Sequence, residues 1–318
     1  MLLWPCIALV AGLILLVWSS DKFVAGAAAI AHNLGMSHIL IGVTIVSMGT
    51  SAPEVLVSTN AALDHALDLS MGNALGSNIA NIGLVLGITA LIAPIPISTR
   101  VMKVENLIVL AVSLATGFVF YDSMLSRSEG VILLIGLALF LIWVFFDHKA
   151  SQDDEFEDEI PTGMETTKAV IWFLIGLVLL IISAKILVWG ATEIARALKI
   201  SELVIGATVV AIGTSLPELA ASVASARKGH HDIAIGNVLG SNIFNLLAVI
   251  GVPALIAPGA IAADVFWRDY LVMIFMTAFL AINLVVKGAG NKPLGRTFAL
   301  MALVTYSGYL YLNYQALA

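Results

Sequence analysis

The chain has 318 residues, 60% of them hydrophobic and 11% charged, with a mean hydropathy of +1.02 and a formal net charge of −6. Water-soluble domains carry roughly 25% charged residues, so this balance excludes a soluble globular fold. The single cysteine, Cys6, excludes an internal disulfide and a cysteine-based metal site, and the net charge, drawn largely from one acidic run, points to neither nucleic acid nor anionic lipid.

Many of the apolar stretches approach the ~20 residues that a helix needs to cross a bilayer. They predict ten spans, at 3–30, 38–63, 68–92, 103–120, 128–146, 168–196, 202–227, 231–256, 267–286 and 296–314. The first, LLWPCIALVAGLILLVW, looks like a secretory signal but lacks a basic leader. It also has a counterpart in the sixth, TKAVIWFLIGLVLLIIS, where Gly176 stands for Gly12, so it reads as a retained helix. On the second span Thr44, Ser47, Ser51, Glu54 and Ser58 recur at steps of three and four, with Thr50 alongside. That spacing gathers hydroxyls and a carboxylate on one helix face. Within its GTSAPE motif, Pro53 has no N–H for the carbonyl of Gly49, and carbonyls around Ser47 are expected to turn toward a ligand.

The third span carries Asn73, Ser77 and Asn81 at steps of four, with Asp68 reading as its N-cap. After the fifth span comes DDEFEDE at 153–159, which lacks the spacing of an EF-hand and reads as a solvated linker. Lys185, within the sixth span, is expected to snorkel or to pair with an acid. The seventh span repeats the stripe as Thr208, Thr214, Ser215, Glu218 and Ser222, with GTSLPE for GTSAPE and Ala211 in place of Ser47. The eighth repeats the next one as Asn237, Ser241 and Asn245, with Asp232 as the expected N-cap and His230 and His231 in an exposed turn. Thr44, Ser58, Thr208 and Ser222 are expected to serve helix packing, as are Gly72, Gly76, Gly83, Gly87, Gly236 and Gly240.

A shift of 164 residues lays Ser37–Pro94 over Ser201–Pro258 without a gap and with 28 identities in 58 positions. Glycines, prolines and polar residues stay in register, which chance hydrophobic similarity would not achieve. The expected organisation is a first repeat at 1–147, an acidic cytoplasmic loop at 148–167 and a second repeat at 168–318. Five spans per repeat is an odd number, so the second repeat enters the membrane inverted. With the N-terminus outside, ten of the fifteen Lys and Arg residues fall inside and four outside, Lys185 lying within a span. The positive-inside rule then places both termini outside.

Inverted repeats are typical of secondary transporters, whose sites lie at the midplane between the halves. The stripes supply hydroxyls, amides, carbonyls and two carboxylates, an oxygen-only set that suits hard cations and offers nothing to copper or zinc. Calcium takes about 6–8 oxygens at flexible geometry, while sodium would accept hydroxyls and carbonyls with a shared carboxylate. A carboxylate in mid-bilayer is functional by default. A cation channel, or an intramembrane hydrolase using paired carboxylates, also fits a duplicated helical fold, although no nucleophile elbow, P-loop or dinucleotide fingerprint is present.

GTSAPE with GNALGSNIAN, and GTSLPE with GNVLGSNIFN, resemble the two alpha-repeats of the calcium/cation antiporter superfamily, in particular the prokaryotic sodium/calcium exchangers. The resemblance implies an all-α membrane fold of ten helices in two inverted repeats, in a bacterial inner membrane, with no prosthetic group and no obligatory protein partner. It implies alternating-access antiport of calcium against sodium, with protons as the alternative counter-ion. Glu54, Glu218 and the backbone oxygens of Thr50 and Thr214 would hold calcium. Sodium would be shared among Ser47, Thr50, Ser51, Ser77, Ala211, Thr214, Ser215, Ser241 and the two glutamates, with Asn81 and Asn245 lining the centre. One departure bears on potassium: several relatives end the second motif in Asp, where this chain has Asn245.

Overall fold

A computed structural model describes residues 2–147, 163–199, 209 and 211–317. Helices stand at all ten expected places: α1 (Leu3–Leu34), α2 (His38–Thr50) with α3 (Ala52–Leu63), α4 (Leu67–Ile92), α5 (Val101–Val119), α6 (Arg127–Asp147), α7 (Thr166–Ala197), α8 (Ala211–Thr214) with α9 (Leu216–Arg227), α10 (His231–Ile256), α11 (Val265–Ala289) and α12 (Arg296–Leu317). Among the described residues seven helices are long and apolar enough to cross a membrane alone, and α2 with α3 makes an eighth, bent by 44°. The seventh expected span begins among residues that are not described. The tenth, α12, is diluted by Ser307, Gly308, Asn313 and Gln315. Residues 153–159 and Thr208 also lie outside the described residues.

The centre of the bundle is α4 beside α10, the most enclosed of these helices. Each switches near its middle to a wider π-helical turn, at Asn81–Leu86 and Asn245–Val249. Such turns are frequent at functional sites. The repeats also tie to each other at their loops. Ile95, after α4, bridges to Leu294 ahead of α12, while Gly259, after α10, pairs with Leu125 ahead of α6. The third helix of each repeat is thus fastened to the start of the other repeat's fifth.

The long helices α1 and α7 cross at four glycines, Gly12, Gly26, Gly176 and Gly190, two from each repeat in register. A Cβ on Gly26 would lie 2.6 Å from the backbone nitrogen of Phe173, so only glycine permits this approach. Phe23 stacks on Phe173 with ring centroids 4.9 Å apart, and Lys22 lies over Trp172.

Several sequence expectations need correction. Asp68 is not an N-cap: it lies in the first turn of α4 and accepts the Ala262 N–H at 2.7 Å, tying two loops together. Asp232 likewise lies inside α10, whose N-cap residue is His230. His230 is not exposed: it is 6% accessible and meets the His38 ring edge-on at 5.3 Å. The packing of α2 against α10, invisible to local sequence, closes over that turn. Of the glycines read as close-packing, a Cβ on Gly83, Gly87, Gly236 or Gly240 would crowd a neighbour. One on Gly72 would meet nothing within 4 Å and one on Gly76 only the Tyr309 hydroxyl at 3.9 Å, so among the described residues those two are not close-packed. Lys185 is exposed on α7, as snorkelling requires.

Two predictions follow from this packing. Gly26→Ala should lower the melting temperature in detergent, whereas Gly308→Ala, which meets nothing within 4 Å, should hold or raise it. Burial, with help from His38, Lys228 and His231, lowers the His230 pKa from 6.5 to about 4. The unfolded chain therefore takes up this proton at a higher pH than the folded one, so the stabilisation is complete above about pH 6.5 and is lost as the pH falls toward about 4. Melting curves across that window should be flatter for His230→Gln than for the parent.

Candidate ion-binding site

Four acidic side chains are buried among the described residues: Glu54, Glu105, Glu218 and Asp269. They fall into two pairs, each related by the 164-residue shift. Glu105 takes the Arg100 Nε at 2.7 Å. Asp269 is gripped by Arg268 through Nε and Nη2 at 2.8 and 3.0 Å, and by the Tyr309 hydroxyl at 3.1 Å. Glu54 and Glu218, each 1% exposed, have no cationic partner among the described residues. Each keeps one oxygen, Oε2, buried without a hydrogen-bond partner, and the two lie close enough for their charges to interact. A buried charge without a partner costs several kcal/mol, so this pair needs a positive charge that the protein does not supply.

The local sequence explains where these carboxylates sit. At Ser51 (φ −83°, ψ 2°) and Ser215 (φ −86°, ψ 3°) the chain leaves helical geometry. Pro53 and Pro217 then fall in the first turn of a new helix, where a missing N–H breaks nothing. Glu54 and Glu218 follow in that same first turn, facing the positive end of the helix dipole. The carbonyl of Ser47 corrects the expectation that it turns freely to a ligand: it accepts the Ser51 N–H at 2.9 Å. In the second repeat Ser215 bonds to Ile212 instead, one residue past Ala211.

Of the residues expected at the site, Ser47, Thr50, Ser51, Glu54, Ser77, Asn81, Ser215, Glu218, Ser241 and Asn245 are all buried, and Thr214 is partly buried. Of Ala211 only the backbone, at the start of α8, is described. Ser51 donates to Glu218 Oε1 at 3.3 Å, Thr50 to Asn237 Oδ1 at 3.0 Å and Asn81 to Asn242 Oδ1 at 3.1 Å, contacts that join the repeats here. Six oxygens from this set have no hydrogen-bond partner: Glu54 Oε2, Asn81 Oδ1, Ser215 Oγ, Glu218 Oε2, Ser241 Oγ and Asn245 Oδ1. Buried polar groups are nearly always satisfied, so this concentration marks an incomplete site. Thr44, by contrast, bonds back to Leu40 and Ser58 to Ser70, the packing roles expected of them. Among the described residues no group of three or more His, Cys, Asp or Glu side chains gathers as for a resident metal.

Sequence reading did not single out Asn78 and Asn242, which join the centre through Asn78 Nδ2 to the Asn242 carbonyl at 3.3 Å. They lie one residue beyond Ser77 and Ser241, off the four-residue step, and only their recurrence in GSN marked them. Glu105 and Asp269 were missed because they open their spans, where a polar residue is ordinary.

The family profile described as "Sodium/calcium exchanger protein" matches residues 4–146 and 168–315. Inner membrane protein YrbG of Escherichia coli is 42% identical over 284 residues, covering 86% of each chain. Sodium/calcium exchanger MaX1 of Methanosarcina acetivorans is 34% identical over 315 residues, covering 86% of this chain and 89% of its own. The structure of the sodium–calcium exchanger NCX_Mj soaked with sodium and strontium superposes with a TM-score of 0.82 at 35% identity, covering 96% of this chain and 97% of that one.

The two pairs of acids predict opposite responses to charge removal. In chelator-containing buffer Glu54→Gln should leave the protein as stable as the parent or more so, since an uncompensated charge is lost. Arg268→Gln, which strands Asp269, should cost ~3 kcal/mol. Thermal unfolding of both variants measures the contrast.

Proposed function

This chain belongs to the sodium/calcium exchanger family, and on that footing we propose that it is an antiporter exchanging sodium for calcium by alternating access. It is a multi-pass membrane transporter rather than an enzyme. The observation that carries the sodium/calcium reading is the pair Glu54 and Glu218, buried together without a protein cation. Two carboxylates neutralise one divalent ion, and their two unpartnered oxygens with the four on Asn81, Ser215, Ser241 and Asn245 make six, within the 6–8 that calcium takes. Magnesium sheds water too reluctantly for such a site. Sodium requires less charge and would use the hydroxyls of Ser51, Ser77, Ser215 and Ser241 with a shared carboxylate.

An unoccupied pair of carboxylates resists enclosure in a low-dielectric core, which would couple closure of the site to ion binding. Alternation between faces would use the two repeats, 1–147 and 168–318, with 148–167 as their cytoplasmic connection and both termini outside. Calcium would leave the cell down the sodium gradient, across a bacterial inner membrane. Asn245 in place of a third acid argues against potassium as a co-transported ion.

Proteoliposomes with an outward sodium gradient should accumulate radiocalcium, and Glu54→Gln or Glu218→Gln should abolish uptake while the protein still elutes as a folded monomer. Acidification should also slow uptake, because protons compete for the same carboxylates. Uptake driven by a proton gradient alone would replace sodium by protons as the counter-ion. Calcium current without any counter-ion would mean a channel.

A further inference from the structure

Near the start of α11, that helix and α12 part around a cavity of ≈ 610 Å³. Sites for small molecules span about 300–1,000 Å³. Leu271, Val272 and Phe275 form its wall on α11, and Leu312 lies across from them on α12. Between the walls comes Gly308, where even an added Cβ would meet nothing within 4 Å among the described residues. The opposite side of α12 is occupied, since Leu303 and Tyr306 close on Gly87 and Gly83 of α4. Leu271, Phe275 and Leu312 are exposed, so the groove opens sideways into the bilayer. An apolar gap of this kind takes hydrocarbon rather than water.

The mouth of the groove is polar. Arg268 lines it, flanked by exposed Trp267 and Tyr311, residue types that settle at the level of lipid headgroups. The guanidinium is held from behind: Asp269 accepts its Nε and Nη2, and Tyr309 in turn donates to Asp269. Nη1 reaches Asp264, a carboxylate 71% exposed just ahead of α11, at 3.4 Å. Those bonds use three of the five N–H groups of an arginine. The other two have no acceptor among the described residues. An arginine fixed in this way is preorganised for the oxygens of a phosphate. One arginine between two aspartates nevertheless leaves a net negative charge. An anionic headgroup is therefore repelled, whereas a headgroup with its own cation can set that cation against Asp264.

We propose that this groove binds one zwitterionic phospholipid carrying a primary ammonium, of the phosphatidylethanolamine class. One acyl chain lies between α11 and α12 over Gly308, the phosphate accepts from Arg268, and the ammonium donates to Asp264. Phosphatidylcholine offers the same chain and phosphate but has no N–H to donate. Phosphatidylglycerol adds negative charge without a cation. The site is independent of which ions the protein carries.

Native mass spectrometry of the full chain, after titration in detergent with equal amounts of dioleoyl phosphatidylethanolamine, phosphatidylcholine and phosphatidylglycerol, reads the preference. The parent should retain one phosphatidylethanolamine about threefold more than either competitor, the yield of one exposed ion pair. Asp264→Asn should bring phosphatidylethanolamine level with phosphatidylcholine at an unchanged melting temperature. Gly308→Leu, which fills the groove, should lose the retained lipid. Equal retention of the three lipids by the parent overturns the proposal, as does a preference for phosphatidylglycerol. A preference that survives Asp264→Asn, or retention that survives Gly308→Leu, overturns it as well. If Gly308→Leu does not fold, Thr305→Trp obstructs the same groove one turn away, and undiminished retention in that variant overturns the site.

Discussion

The arrangement of the molecule turns on two carboxylates that it buries and does not neutralise. Glu105 and Asp269 show that this chain places an arginine beside an acid when it needs one. Glu54 and Glu218 sit at the start of a helix, Glu218 with the Ser51 hydroxyl, and among the described residues no cation faces either. A carboxylate at the centre of a membrane costs about 2.5–3.5 kcal/mol even on a lenient scale. The cost is tolerable only when an ion or proton shares the space, so occupancy and enclosure are linked by electrostatics rather than by a separate device.

The rest of the fold makes that placement possible. Pro53 and Pro217 start α3 and α9 at the depth where the charges must sit, and α4 and α10 press against those helices with asparagines and serines instead of leucines. The loop ties at Ile95–Leu294 and Gly259–Leu125 hold each repeat to the other on both ends of the bundle. Outside this centre α1 and α7 approach closely across their glycines and pack Phe23 on Phe173 and Trp18 against Trp172 between them.

Much of this was legible in the sequence, for identifiable reasons. Hydropathy located the helices because bilayer length is a strong constraint on chain length. The 164-residue register exposed Glu54 and Glu218 as a pair, spacing put Ser51 and Ser215 on their helix faces, and the resemblance to the exchanger alpha-repeats added Ser77 and Ser241 as expected neighbours. What escaped depends on contacts between helices. His230 read as exposed because nothing in its own segment announces His38, which arrives from α2. Asp68 read as a cap because its partner, the Ala262 N–H, is 194 residues away. The free Ser47 carbonyl failed because Pro53 begins a helix rather than interrupting one, and the preceding turn completes its own bonds.

Strontium scatters anomalously and takes the same oxygen ligands as calcium, so crystals of this protein soaked in it would locate the missing charge. The account requires an anomalous peak between the Glu54 and Glu218 carboxylates that disappears when either is changed to glutamine. Well-ordered carboxylates with no peak between them, in crystals that bind strontium elsewhere, would contradict it.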